Sequence, residues 1–248
     1  MEPILQVQGL TKRYRHIKAL DGVELTIEPG EFVGFIGPNG AGKTTTMRCI
    51  AGQLMPDGGE LVVGGKSVTR DPIEARRLVG YVPQELTLYR YLTGEEFLRF
   101  VADVRGVPAS EQDARVEELL ELTSLDRARH RILREYSGGM ARKIAIAAAL
   151  IAKPPLLLLD ESFVGLDPES TAALRQYLVK YCQEGHAVLL SSHILDMLER
   201  ICTRVVLLHK GVIQVNKDRQ DLDATLGNQF ETLTDLYLHH IGLGQGQG

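Results

Sequence analysis

The chain has 248 residues, 44% hydrophobic and 24% charged, enough for one large domain with a sizeable core. Its net charge of -4 and pI near 6.0 exclude the basic footprint of a nucleic-acid-binding protein. Cys49, Cys182 and Cys202 lie too far apart for a metal-ligand pattern or a disulfide framework, which points to a reducing cytosol.

The N-terminal MEPILQVQGL lacks the charged-then-apolar order of a signal peptide. ILQVQGL and VELTIEP alternate apolar and polar residues and read as half-buried strands, with Pro29-Gly30 a turn. EFVGFIG has the unbroken apolar run of a strand buried on both faces. Helical spacing follows from Lys43 to Leu54, then the short strands ELVVGG and VGYVPQ. From about Thr93 to Ala152 no strand is predicted. EEFLRFVADVR, ARVEELLELTSL (with Val116, Leu119, Leu120 and Thr123 on one face) and MARKIAIAAALIA are helical, and Lys153-Pro154-Pro155 stops the last. LLLLD returns to strand, TAALRQYLVKYCQ to helix and AVLLSSH to strand. RVVLLHKGVIQV reads as a hairpin turning at Lys210-Gly211. Strands separated by helices imply a largely parallel α/β sheet, and the all-helical middle an inserted subdomain. No window approaches roughly eighteen consecutive apolar residues, so a membrane role requires a partner chain.

Two stretches carry explicit chemistry. GPNGAGKT, residues 37 to 44, matches G-x-x-x-x-G-K-[ST] between a buried strand and a helix, the context this phosphate-binding loop needs. Gly37, Pro38, Asn39, Gly40, Ala41 and Gly42 turn successive N–H groups toward phosphates. Lys43 brings a positive charge to the β and γ phosphates, the Thr44 hydroxyl can ligate Mg²⁺, and Thr45 is placed for a further phosphate contact. LLLLDE ends a buried strand with Asp160, at the edge where ligands of parallel sheets bind, to hold the Mg²⁺ shell. Glu161 follows as a base for an attacking water. Together these indicate a nucleoside triphosphatase. No Asn-Lys-x-Asp base reader is present, which argues against a GTPase.

YSGGM, Tyr136 to Met140, is a second helix start built for an anion, with Ser137 as its cap. Alone it reads as an ordinary cap with flexible glycines. The ordered set GPNGAGKT, Gln84, YSGGM, Asp160-Glu161, GLDP and His193 resembles the nucleotide-binding subunit of ATP-binding-cassette (ABC) transporters from about Ile4 to Gln214. The resemblance implies a P-loop NTPase (RecA-like) core, an N-terminal antiparallel β-subdomain and the helical insert. It implies one ATPase domain over 1–240, with its core at about 1–86 and 156–215, the helical subdomain at 87–155, a C-terminal extension at 216–240 and a disordered tail at 241–248. Ser137, Gly138, Gly139 and Met140 would contact the γ-phosphate bound to an opposing subunit. Tyr14 would stack on adenine, Gln84 reach Mg²⁺ and sense the membrane subunit, Asp167 lie in the loop crossing the dimer interface, and His193 act near the γ-phosphate. Glu161, Lys43 and His193 would be the catalytic residues, with ATP and Mg²⁺ as cofactors. The partners would be a transmembrane permease and a second copy or a homologous ATPase subunit, at the cytoplasmic side of the membrane. YLTGEEFLRFVADVRG and LTDLYLHHIG resemble segments of exporters whose permease is a separate chain. LTLYRYL, residues 86 to 92, is read equally as a docking surface and as subdomain core. Two departures stand out: Met140 replaces a common glutamine, and Ser162-Phe163 a usual Pro-Thr, neither removing a charged catalytic group. A cassette ATPase driving a soluble assembly is the rival reading.

Overall fold

The structure, a computed structural model, describes residues 2–242. β1 (Leu5–Tyr14) and β2 (Ile17–Ile27) pair as one hairpin. It is longer than apolar alternation predicts, because pairing continues through the polar Lys12–Lys18 stretch to a turn with Arg15 at φ 53°. β3 (Phe32–Ile36) leads through the phosphate loop into α1 (Lys43–Ile50). That helix ends sooner than the pattern suggests, since Gly52 at φ 65° turns the chain away. β4 (Gly58–Val63) and β5 (Lys66–Ser67) join the hairpin in a four-stranded antiparallel sheet ordered β2-β1-β4-β5.

α2 (Pro72–Arg77) and β6 (Val79–Val82) precede the helical segment of α3 (Gly94–Arg105), α4 (Ala109–Leu122) and α5 (Gly138–Leu150). Thr93 and Glu96 close a reciprocal cap on α3. LTLYRYL divides by face: Leu86, Leu88 and Leu92 pack against the core, while Tyr89 and Tyr91 are exposed. β7 (Leu156–Asp160), α6 (Pro168–Gln183), β8 (Ala187–Ser191), α7 (Leu195–Ile201), β9 (Arg204–His209) and β10 (Val212–Asp218) complete the core. α8 (Arg219–Asn228) and α9 (Leu233–His240) follow β10, whose strand takes in residues 216–218, and they bury Leu222, Leu233 and Leu236 in the main cluster. Of the tail expected at 241–248, residues 243–248 lie outside the described residues.

The larger sheet runs β10-β9-β3-β8-β7-β6, parallel throughout except for β10. Its central strands alternate between two cores. Val33, Leu158 and Leu189 face the antiparallel sheet and α1, whereas Phe32, Leu159 and Leu190 face the helical layer. Burial on both faces explains the unbroken apolar runs. The β9–β10 turn places Lys210 and Gly211 at φ 50° and 78°, the mirror-image geometry tight hairpins prefer.

Candidate functional site

The nucleotide cleft forms where β3 releases the chain. Gly40 and Gly42 take φ 77° and 112°, a region that side chains with a Cβ avoid. At Gly42 an added Cβ would also meet the Ala19 carbonyl oxygen at 2.7 Å. Gly42 caps α1 without a side-chain hydrogen bond, and no acidic residue occupies the first turn. The helix therefore presents its positive end and free N–H groups to an anion. Lys43 is buried, and its Nζ donates to the Gly37 and Pro38 carbonyls at 2.6 and 3.2 Å. Burial lowers its pKa, while attraction to Glu161 and Asp160 favours the charged form. Tyr14, Ala19, Asn39 to Thr45, Gln84, Glu161 and His193 line one cleft of about 410 Å³. Tyr14, 43% exposed, stands there as a free ring face. Gln84 also lines a second cleft, shared with Arg48, Tyr81, Pro83 and Thr87.

The parallel register sets Asp160 of β7 beside Ser191 of β8. Ser191 Oγ donates to Asp160 Oδ1 at 2.6 Å, and both Ser191 oxygens accept from the Glu161 N–H. Asp160 is fully buried and its Oδ2 has no partner. An orphaned carboxylate oxygen in this position suits a hydrated divalent cation. Thr44 and Gln84 line the adjoining cleft, so the donor set fits the ion.

Glu161 sits in the left-handed region at φ 51°, a strained conformation for a residue with a side chain. It is 5% exposed and neither carboxylate oxygen makes a directed hydrogen bond. His193 Nε2 stands 2.9 Å from Oε2, close but poorly aligned. Burial raises the Glu161 pKa, opposed by His193 and Lys43. The outcome is a carboxylate whose proton affinity is shifted upward, the direction general-base catalysis favours.

The start of α5 lies elsewhere. Ser137 caps α5, its Oγ accepting from the Met140 N–H at 3.2 Å. Methionine at position 140 leaves that cap intact, because residue 140 contributes only its backbone N–H to the bond with the Ser137 hydroxyl. None of Ser137, Gly138, Gly139 or Met140 lines the nucleotide cleft. Asp167 likewise stays out of it. Its carboxylate caps α6 through Ser170 and pairs with Lys143 at 2.9 Å. Lys143 and the Ser170 bonds hold its pKa well below the ordinary carboxylate range. Ser162 and Phe163 are buried, replacing the family's usual pair without opening the loop.

Sequence reasoning missed Ala19, Ser191, Arg142 and Lys143. Ser191 could be flagged only as a hydroxyl ending an apolar strand. Arg142 donates to the Pro83 and Gln84 carbonyls at 3.0 and 2.9 Å, contacts between residues 59 and 58 apart that no local pattern announces.

The sequence matches the family model described as "ABC transporter" over residues 20–164, more than half of the chain. It is 36% identical over 225 residues to the linearmycin resistance ATP-binding protein LnrL of Bacillus subtilis (strain 168), covering 90% of this chain and 72% of that protein. It is 36% identical over 209 residues to the Nod factor export ATP-binding protein I of Ralstonia nicotianae (strain ATCC BAA-1114 / GMI1000), covering 84% and 65%. It spans only 10% of the ATP-binding cassette sub-family A member 7 of Rattus norvegicus, with 37% identity over 226 residues that make up 90% of this chain. A solved ATP-binding subunit of an ABC transporter superposes with a TM-score of 0.90 at 34% identity, covering 95% of this chain and 98% of that one. A dimeric cassette in a post-hydrolysis state bound to ADP and Pi superposes at 0.80 with 28% identity, covering 87% and 98%. With the phosphate loop, the Asp160–Glu161 pair and the displaced signature helix in one fold, the chain belongs to the ABC transporter family and is an ATP-binding, ATP-hydrolysing cassette.

Proposed function

We propose that the cassette powers export through a separate transmembrane permease at the cytoplasmic side of the membrane. In this reading two copies, or one copy and a homologous ATPase subunit, close head to tail around ATP. The observation that carries the reading is the position of Ser137 to Met140: a capped helix start built for phosphate, outside this chain's own cleft. It serves a neighbour's γ-phosphate or none. The kinship with LnrL and with the Nod factor export protein, whose names denote resistance and export, supports the direction.

Within the closed pair Tyr14 stacks on adenine and the loop from Gly37 to Thr45 wraps the phosphates. Thr44, Gln84 and Asp160 would hold Mg²⁺, which supplies charge neutralisation at the phosphate oxygens. Lys43 and His193 stabilise charge spread over the transferring group. Glu161 takes the proton from the attacking water. Loss of the γ-phosphate removes contacts from both subunits and lets the pair open, and that motion moves the permease. Gln84, lining both clefts, and the exposed Tyr89 and Tyr91 mark the docking side.

The test is Ser137→Arg in a Glu161→Gln background. Nucleotide binding by the isolated subunit should persist within about threefold, while ATP-dependent dimerisation disappears; loss of binding itself would return Ser137 to its own chain's site. Co-purification of a stoichiometric polytopic chain from detergent-solubilised membranes separates transport from a soluble assembly.

A further inference from the structure

The two ends of α5 are held by different forces. Its C-terminal half is buried from Ile146 to Leu150 and lies flush against β6. A Cβ on Gly80 would come to 2.5 Å of the Ala149 carbonyl oxygen and 2.8 Å of Pro154 Cγ, so the two backbones touch with no room to slide. The N-terminal half is partly exposed from Gly139 to Lys143; Met140 packs against the core there, and polar links add to the hold. Arg142 Nη1 donates to Pro83 O and Nη2 to Gln84 O. One residue on, Lys143 pairs with Asp167. An ion pair this exposed at Asp167 contributes little rigidity, whereas a planar guanidinium bonded to two consecutive carbonyls fixes both distance and direction.

Burial lowers the pKa of Arg142, while Asp160 and Glu161 attract its charge. Its donors are committed to the main chain of the loop that carries Gln84. The Gln84 side chain remains free to line this chain's nucleotide cleft and the cleft beside it. The geometry gives a lever. Gly80 and Ala149 form the pivot, and Ser137 lies twelve residues away, roughly 18 Å along the axis. A tilt of about 5° moves the Ser137 end by ~1.5 Å, enough to make or break a hydrogen bond to a phosphate.

We propose that Arg142 is the positioning residue that couples the two ATP sites of the dimer. It makes the start of α5, which serves the partner's nucleotide, follow the loop that responds to this chain's own. This inference rests on the head-to-tail dimer proposed above. It adds an intramolecular link and predicts that binding at one site tightens or loosens the other reciprocally.

The experiment uses the full chain with Glu161→Gln to trap ATP-bound dimers, alone and combined with Arg142→Ala, Gln84→Ala or both. ATP binding to dilute monomer, the dimer dissociation constant by sedimentation, and amide hydrogen exchange of the nucleotide-free monomer are measured. Arg142→Ala should leave monomer ATP affinity within about twofold, because the side chain does not line the cleft. It should raise the dimer dissociation constant about tenfold or more, within the usual range of coupling between sites. Exchange at residues 84–88 and 138–141 should quicken. Gln84→Ala should add little on top of Arg142→Ala, since both act through one link. Arg142→Gln, which keeps one donor group, controls for folding and should fall between. Unchanged dimerisation and exchange in Arg142→Ala, or additive effects with Gln84→Ala, would overturn the inference. A Glu161→Gln parent that fails to dimerise with ATP would instead reject the dimer reading.

Discussion

Glu161→Gln tests the chemistry and the electrostatics of the site together. The substitution keeps shape and removes both charge and basicity. In the native site the carboxylate is 5% exposed, lacks a directed hydrogen bond and has a pKa raised mainly by burial. A positioned base contributes on the order of 10²–10⁴ in rate, about 2.7–5.5 kcal/mol of barrier. The variant should therefore retain at most about a hundredth of the native turnover, with ATP affinity unchanged and ATP-bound dimer accumulating. A second consequence concerns stability. Because the folded chain binds the Glu161 proton more tightly than the unfolded chain, the contribution of Glu161 to native stability falls as pH rises from the ordinary carboxylate value through the raised one, then levels off. The amide of the variant does not titrate. The stability of the variant relative to the native chain should therefore rise with pH across that window. Steady-state phosphate release and urea unfolding from pH 4.5 to 8 measure the two effects. Native-like turnover would remove Glu161 as base; a stability difference independent of pH would refute the burial argument.

Tyr14→Ala should weaken ATP binding about 5- to 150-fold, the worth of stacking one base, while leaving inorganic tripolyphosphate affinity unchanged. Equal losses for both ligands in fluorescence competition would mean that Tyr14 supports the loop rather than the base. Gly80→Ala places a methyl 2.5 Å from the Ala149 oxygen and 3.0 Å from Leu157 Cδ1, so β6 and α5 must part. Overpacking of this kind costs about 1–3 kcal/mol, and each kcal/mol lowers Tm by ~2–4 °C in a chain of this size. Calorimetry showing an unchanged Tm would place a soft contact where the structure has a rigid one.

The legible parts of the site were those made by consecutive residues. Gly37 to Thr45 announces itself because wrapping a phosphate requires glycine dihedrals, a lysine and a hydroxyl at fixed spacing on one strand–loop–helix unit. Asp160-Glu161 was legible because a strand buried on both faces must be apolar up to the residue that meets solvent and ligand. The C-terminal helices were harder. α8 and α9 have weak amphipathic patterns, and α9 owes its place to Leu233 and Leu236 packing under α7 rather than to its own periodicity.

The sequence by itself determined that this chain binds and hydrolyses a nucleoside triphosphate, since the phosphate loop and the Asp160-Glu161 pair lie within two short runs whose backbone geometry is local. Only the tertiary structure decided how those runs are supported. The strand order β3-β8-β7 sets Ser191 against Asp160, where chain order separates them by thirty-one residues. The crossing of α5 over β6 puts Arg142 on the Gln84 loop and keeps Ser137 out of its own cleft. Local chemistry is written in neighbouring residues. Which of those residues share one cleft depends on which surfaces the packed core turns toward each other.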